Sequence, residues 1–97
     1  MKADRQIIEG KAELLKALSS PARLCIIKTL LDEGEKNVTD IINCMDLSQS
    51  SISQQLAKLK SLGLVEMRKE GNMCFYSCVR EDIKKLVSTL FDPQTGK

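Results

Sequence analysis

The chain has 97 residues, which is enough for one small domain and too few for several. Hydrophobic residues make up 42% and charged residues 29%, as in ordinary globular proteins, and no apolar run approaches the roughly 20 residues of a membrane span. The net charge of +2 is too small to indicate nucleic-acid binding by itself. The polar N-terminus lacks the apolar segment of a secretory signal, so we expect a cytoplasmic protein.

Two helices are predicted in the first third of the chain. Apolar residues recur at helical spacing over residues 4–18. Ser20 and Pro21 then form a helix-start signal, because a serine side chain can accept a hydrogen bond from a free N–H group and proline suits the first helical position. This second helix should cover about residues 21–32 and stop before Gly34.

A short helix, a tight turn and a polar helix should follow. Asn37 is positioned to cap the short third helix, and residues 46–47 are typical of a tight turn. Ser48 can then cap a fourth helix over residues 49–62. A short helix and a turn before a polar-faced helix are typical of a helix-turn-helix. The residues predicted to face the core are Ile41, Ile42 and Met45 in the third helix and Ile52, Leu56 and Leu59 in the fourth.

A β-hairpin and a last helix complete the predicted fold. Strands are expected over residues 64–69 and 73–79, joined by turn chemistry at residues 70–72, and a helix over residues 81–91. The fold class is therefore mainly α with a β-hairpin wing, a winged helix-turn-helix in the order helix-helix-helix-helix-strand-strand-helix. One domain should occupy residues 1–92, followed by a flexible tail at residues 93–97.

The polar side of the fourth helix is the candidate DNA-reading surface. It has no acidic residue, and its glutamines, serines and lysines can hydrogen-bond to base edges or contact phosphates. A helix of this kind suits the major groove, with its N-terminal residues nearest the bases. A solvated polar face, or a winged helix that binds protein, is the alternative. The candidate DNA-binding residues are Gln49, Ser50, Ser51, Ser53, Gln54, Gln55, Lys58 and Lys60 on this helix and Arg68, Lys69 and Asn72 on the hairpin. Arg23 and Lys28 are weaker candidates.

Several segments resemble one known family. Residues 18–24 (LSSPARL) look like the second-helix opening of ArsR/SmtB-type repressors, and residues 47–65 (LSQSSISQQLAKLKSLGLV) are very similar to that family's recognition helix and first strand. Residues 68–71 and 75–76 resemble its wing. The resemblance implies a homodimeric repressor that binds palindromic operator DNA and is released by an inducer. The dimer would be built mainly from the first and last helices, through Ile7, Leu14 and Leu18 and through Ile83, Leu86, Val87 and Leu90. The alternative is that both stripes only cover the chain's own core, as some of these residues must.

The residues do not identify the inducer. At positions that match the family's thiolate metal site this chain has Asn37, Thr39 and Ile42, and it has no histidine for the other metal site. Lys28 stands where related thiol sensors carry a cysteine. We therefore expect no metal and no cofactor, although an atypical soft-metal site stays open.

The cysteines are the remaining candidates for a sensor. They are Cys25, Cys44, Cys74 and Cys78, and in the cytosol they should be reduced thiols rather than disulfides. They are either small buried hydrophobes or a thiol sensor. Nothing indicates an enzyme, because histidine, a nucleophile elbow and a phosphate loop are all missing from the sequence.

Overall fold

The computed structural model describes residues 4–41 and 46–92. Ile42, Cys44, Met45 and the predicted tail at residues 93–97 lie outside the described residues. The elements, in chain order, are α1 (Arg5–Leu18), α2 (Pro21–Glu33), β1 (Lys36–Asn37), a 3₁₀ turn (Val38–Asp40), α3 (Gln49–Ser61), β2 (Glu66–Glu70), β3 (Met73–Ser77) and α4 (Glu81–Leu90). The predicted fourth helix is therefore α3, and the predicted last helix is α4.

The helix starts follow the capping residues. Asp4 caps α1 rather than beginning it, and its carboxylate accepts the N–H of Gln6 at 2.7 Å. Ser20 caps α2 through the N–H of Arg23 at 3.3 Å. Ser48 caps α3 through the N–H of Ser51 at 3.1 Å. Each side-chain oxygen satisfies an N–H group that the helix itself cannot pair, so the starts predicted for α2 and α3 are confirmed.

The predicted third helix is shorter than expected within the described residues. The Asn37 side chain does act as a cap, accepting the N–H of Asp40 at 2.9 Å, but only a 3₁₀ turn follows. Ile41 has extended backbone angles (φ −70°, ψ 128°), which end the turn. Asn37 also belongs to β1, which pairs with Phe75 and Tyr76 of β3. The sequence did not predict this two-residue strand, because two residues carry no alternating pattern.

The wing is a three-stranded antiparallel sheet in the order β1-β3-β2. In the hairpin of β2 and β3, Glu66 pairs with Ser77 at one end and Glu70 with Met73 at the other. Gly71 forms the tight turn with a φ of 60°, a left-handed conformation that favours glycine. The predicted hairpin is confirmed, but β2 begins two residues later than predicted, and β3 begins at Met73 as predicted and ends two residues earlier. The buried residues Leu64 and Val65 precede β2 rather than belonging to it.

The core is formed by buried apolar residues of all four helices together with Ile41, Leu64 and Val65, and Tyr76 of β3 packs against it. The predicted core residues of α3, Ile52, Leu56 and Leu59, are all buried. On α2 the buried core residues are Ile26, Ile27 and Leu30, and Leu24 and Leu31 are half-buried beside them. Because α2 packs against α1, α3 and β3, a wider face than one stripe is covered. Within residues 4–41 and 46–92, no helix has the length and hydrophobicity that a bilayer crossing demands.

Candidate nucleic-acid interface

The eight candidate residues of the fourth predicted helix all lie on α3. One side of this helix is fixed in the core by Ile52, Leu56 and Leu59. The opposite side is therefore presented outward. Ser51 and Gln55 are half-buried at its edge, and the exposed residues are Gln49, Ser50, Ser53, Gln54, Lys58 and Lys60.

The side chains on the outward face of α3 suit a negatively charged polymer that also offers hydrogen-bonding groups. The helix contains no aspartate or glutamate, and Lys58 and Lys60 lie in its last turn. Ser48 and Ser50 have hydroxyl oxygens 3.1 Å apart at the helix start. The N-terminal end of a helix carries partial positive charge, so both ends of α3 favour an anionic partner. Glutamine and serine side chains between them can donate and accept hydrogen bonds at base edges.

Gln55 is bonded to a residue of another helix. The Arg23 guanidinium, on α2, donates from Nη1 to Oε1 of Gln55 at 3.1 Å and from Nε to the backbone oxygen of Ala17 at 2.7 Å. Arg23 was a weaker candidate for contacting DNA. In the structure its guanidinium is instead hydrogen-bonded to Gln55 of α3. No local pattern could indicate this pair, because the two residues are 32 positions apart.

The wing candidates divide into two groups. Arg68 makes a bidentate ion pair with Glu35 (2.9 and 3.0 Å) and a further contact with Glu70 at 3.0 Å. Its guanidinium also lies 4.8 Å from the centre of the Phe75 ring. Lys69 and Asn72 are exposed on the hairpin. Arg68 is thus already engaged within the protein, through a contact with Glu35 that no nearby residue in the sequence indicates, and its contact with phosphate stays a prediction.

The Arg68 cluster shifts the titration of both partners. Its hydrogen bonds lower the pKa of the Glu35 carboxyl, because they favour the charged form. The same contacts raise the pKa of Arg68. The pair joins β2 to the segment after α2.

The cysteines are not all in one state. Cys25 is disulfide-bonded, so the expectation that all four are reduced thiols was wrong for this residue. Cys74 and Cys78 are free and half-buried, and Cys44 lies outside the described residues. Burial raises the pKa of the Cys78 thiol, which lowers its thiolate fraction. Among the residues that the structure describes, no group of three or more histidine, cysteine, aspartate or glutamate side chains is placed to hold a metal ion.

Lys28 joins α2 to the end of α4. Its ammonium group pairs with Asp32 one turn later and lies 5.0 Å from the centre of the Phe91 ring. The position at which related thiol sensors carry a cysteine is thus occupied by a cation with two partners.

A second surface is apolar and exposed. Ile7, Ile8 and Leu15 on α1 are each more than half exposed, and so is Leu90 on α4. The stripes predicted for dimerisation therefore divide. Leu18, Ile83 and Val87 are buried in the chain's own core, Leu14 and Leu86 pack against it, and only Ile7 and Leu90 are largely exposed.

Comparison with known proteins identifies the family. The profile described as "Bacterial regulatory protein, arsR family" matches residues 20–67, the segment from the cap of α2 into β2. The cadmium resistance transcriptional regulatory protein CadC homolog of Staphylococcus aureus is 40% identical over 80 residues, 82% of this chain and 66% of that protein. The chain therefore spans just under two thirds of that relative's length. This chain belongs to the arsR family.

Solved structures of similar proteins agree with the arsR assignment. HlyU from Vibrio cholerae superimposes with a TM-score of 0.80 and 36% identity, covering 90% of this chain and 94% of that one. A homodimeric winged helix-turn-helix DNA-binding domain from Mycobacterium bovis, described as a possible ArsR-family regulator, gives a TM-score of 0.79 at 31% identity. It covers 97% of this chain and 88% of that one. The winged helix-turn-helix fold is thus confirmed, and the arsR family consists of regulators rather than enzymes.

Proposed function

We propose that this chain is a cytoplasmic transcriptional repressor that binds palindromic operator DNA as a homodimer. The observation that carries the proposal is α3: its apolar side is buried, and its outward side is polar, free of acidic residues and basic at the end. A helix held in this way can enter the major groove with its first turns toward the bases. Lys69 and Asn72, which are exposed on the wing, would contact neighbouring phosphates.

The apolar surface on α1 and α4 supports the homodimer. Exposed isoleucine and leucine side chains are concentrated on α1 and α4, and burying them against another apolar surface is favourable. A second copy of the chain has the same apolar surface. A two-fold dimer presents two copies of α3 and would read two half-sites about one turn of DNA apart. The homodimeric relative from Mycobacterium bovis has the same fold.

The deciding experiment is DNA binding to the promoter region upstream of the protein's own gene, measured by fluorescence anisotropy at several salt concentrations. We expect tight, salt-dependent binding by the wild type. Ser51→Ala or Gln54→Ala should lose the preference for that promoter over unrelated DNA with the fold intact. Gln6→Ala, a polar substitution on α1, is the control and should bind as the wild type does. Absence of DNA binding by the wild type would favour a winged helix that binds protein.

A thiol-based release from DNA is the second candidate, and the disulfide at Cys25 favours it. The sensor candidates named from the sequence are Cys25, Cys44, Cys74 and Cys78, and the disulfide makes Cys25 the first to test. Oxidised and reduced protein should then differ in promoter affinity, and Cys25→Ser should abolish that difference. Cys78→Ser is the matched control, because burial of this thiol disfavours its thiolate. Equal affinity of oxidised and reduced wild type would leave an inducer of other chemistry. Loss of binding on addition of Cd(II) alone would indicate a soft-metal site.

A further inference from the structure

The bond between Arg23 and Gln55 fixes which end of the glutamine amide faces outward. A guanidinium carries only hydrogen-bond donors, so the atom that Gln55 turns toward Arg23 must be its oxygen, Oε1. The amide nitrogen, Nε2, is then directed away from Arg23. The oxygen and nitrogen of a glutamine amide are similar in shape, so shape alone does not orient the amide. The orientation of Gln55 follows instead from the donor-only chemistry of Arg23.

The nitrogen end of Gln55 reaches the surface. No buried side-chain nitrogen or oxygen in the described part of the chain lacks a hydrogen-bond partner. The oxygen of Gln55 has a partner in Arg23, whereas its nitrogen donates no hydrogen bond to any described residue. Gln55 Nε2 is therefore accessible to solvent, at the edge of the exposed face of α3. This edge offers a partner two N–H donors.

Arg23 itself is held at a second point. Its Nε donates to the backbone oxygen of Ala17, in the last turn of α1, where carbonyl groups have no partner within the helix. The guanidinium is half-buried and forms part of the wall of a small cleft of about 110 Å³, together with Lys16 and Lys58. The guanidinium is planar and rigid, so its two hydrogen bonds together set its orientation. Arg23 therefore donates to Gln55 from one direction.

We propose that Arg23 is a specificity-determining residue that makes Gln55 a hydrogen-bond donor, and that Gln55 consequently selects guanine. This inference rests on the proposed function of α3 as a DNA-reading helix. A free glutamine pairs with adenine by donating to N7 and accepting from N6. Gln55 directs its oxygen at Arg23 and has donors to offer, and guanine is the base whose major-groove edge presents two adjacent acceptors, N7 and O6.

The test is selection of binding sites from a randomised duplex DNA library by the wild type and four variants. Gln55→Ala should reduce the preference for guanine at one position of each half-site by about five-fold or more. Arg23→Met keeps the apolar stem but removes the donors, so the freed amide should select adenine at that position. Gln55→Glu keeps an acceptor for Arg23 and offers a carboxylate oxygen outward, so it should select cytosine, whose N4 donates.

Lys16→Met is the matched control for Arg23→Met. It removes the same charge from the same cleft without touching Gln55, and it should still select guanine. Thermal melting verifies that each variant is folded. If Arg23→Met does not fold, Gln55→Glu decides alone, because it retains a partner for Arg23.

Two results would overturn the inference. One is a wild-type site that is unchanged when Gln55 is replaced by Ala or Glu, since Gln55 would then read no base. The other is adenine at the position that responds to Gln55, since the amide would then be free to accept as well as donate. Enrichment of no sequence by the wild type would instead refute the DNA-binding function, and the inference with it.

Discussion

Replacing Ile7 with serine should weaken self-association of the chain by a factor of about 25 to 700 without weakening its fold. Full burial of an isoleucine side chain is worth about 1.5–3 kcal/mol. Ile7 is 60% exposed in the single chain, so covering it in a dimer contributes about 1–2 kcal/mol per copy. A two-fold interface contains the residue twice, which gives about 2–4 kcal/mol per dimer.

The assay is sedimentation velocity over a concentration series, combined with thermal melting. Serine and isoleucine have similar helix propensities, and Ile7 contributes little to the core of one chain, so the stability of the monomer should stay nearly unchanged. Met73→Ser is the matched control, because Met73 is 48% exposed on the wing, away from α1 and α4. Equal dimer dissociation constants for Ile7→Ser and Met73→Ser would show that the interface lies elsewhere. A wild type that is monomeric at every concentration would refute the dimer itself.

Three further substitutions test other parts of the molecule. Leu56→Asp places an unpaired charge at a position with 0% exposure, so it should destabilise the domain by more than about 4 kcal/mol, and an unchanged melting curve would contradict the position of α3. Lys58→Ala should weaken binding to all DNA sequences alike and reduce the salt slope by about 1; an unchanged slope would remove Lys58 from the phosphate contacts. Glu35→Gln releases one carboxylate from Arg68 and should steepen the salt slope of DNA binding, whereas an equal slope would show that Arg68 does not reach phosphate. Arg68 lowers the pKa of Glu35 from its ordinary value of 4.5, so at neutral pH the carboxylate is charged and the ion pair is intact. The stabilisation by this pair is lost as the pH falls below 4.5 and through the lowered pKa of Glu35.

Local signals in the sequence were sufficient for α1 to α4 and for the hairpin turn, but not for the third predicted helix, of which the described residues form only a 3₁₀ turn. Ser20 and Ser48 were predicted as caps and both accept the expected N–H groups, because capping depends only on residues within one turn. Gly71 was placed in the hairpin turn, where a φ of 60° favours glycine. The polar face of α3 followed from the same periodicity that places Leu56 and Leu59 in the core.

Interactions between distant positions were not predictable in this way. Arg68 and Glu35 are 33 positions apart, and the wing arginine was expected to be available to phosphate because nothing near it in sequence indicated its partner. The short strand β1 depends on hydrogen bonds to Phe75 and Tyr76, and two residues have no periodicity of their own. Which residues of the two stripes belong to the core was not predictable for a related reason. Periodicity shows that residues such as Val87 face an apolar surface, but not whether that surface is the chain's own core.

Asn37 has a consequence for the shape of the DNA that this protein would accept. Its backbone pairs with Phe75 of the wing, while its side chain holds the 3₁₀ turn by accepting from Asp40 and from the Thr39 hydroxyl. Asn37 therefore connects the hairpin to the 3₁₀ turn that precedes α3. If the wing and α3 move as one unit, a duplex would have to match the span between the wing tip and α3 by its own curvature. Sequences with easily deformed pyrimidine–purine steps between the two contacts would then be favoured, even at base pairs that no side chain touches.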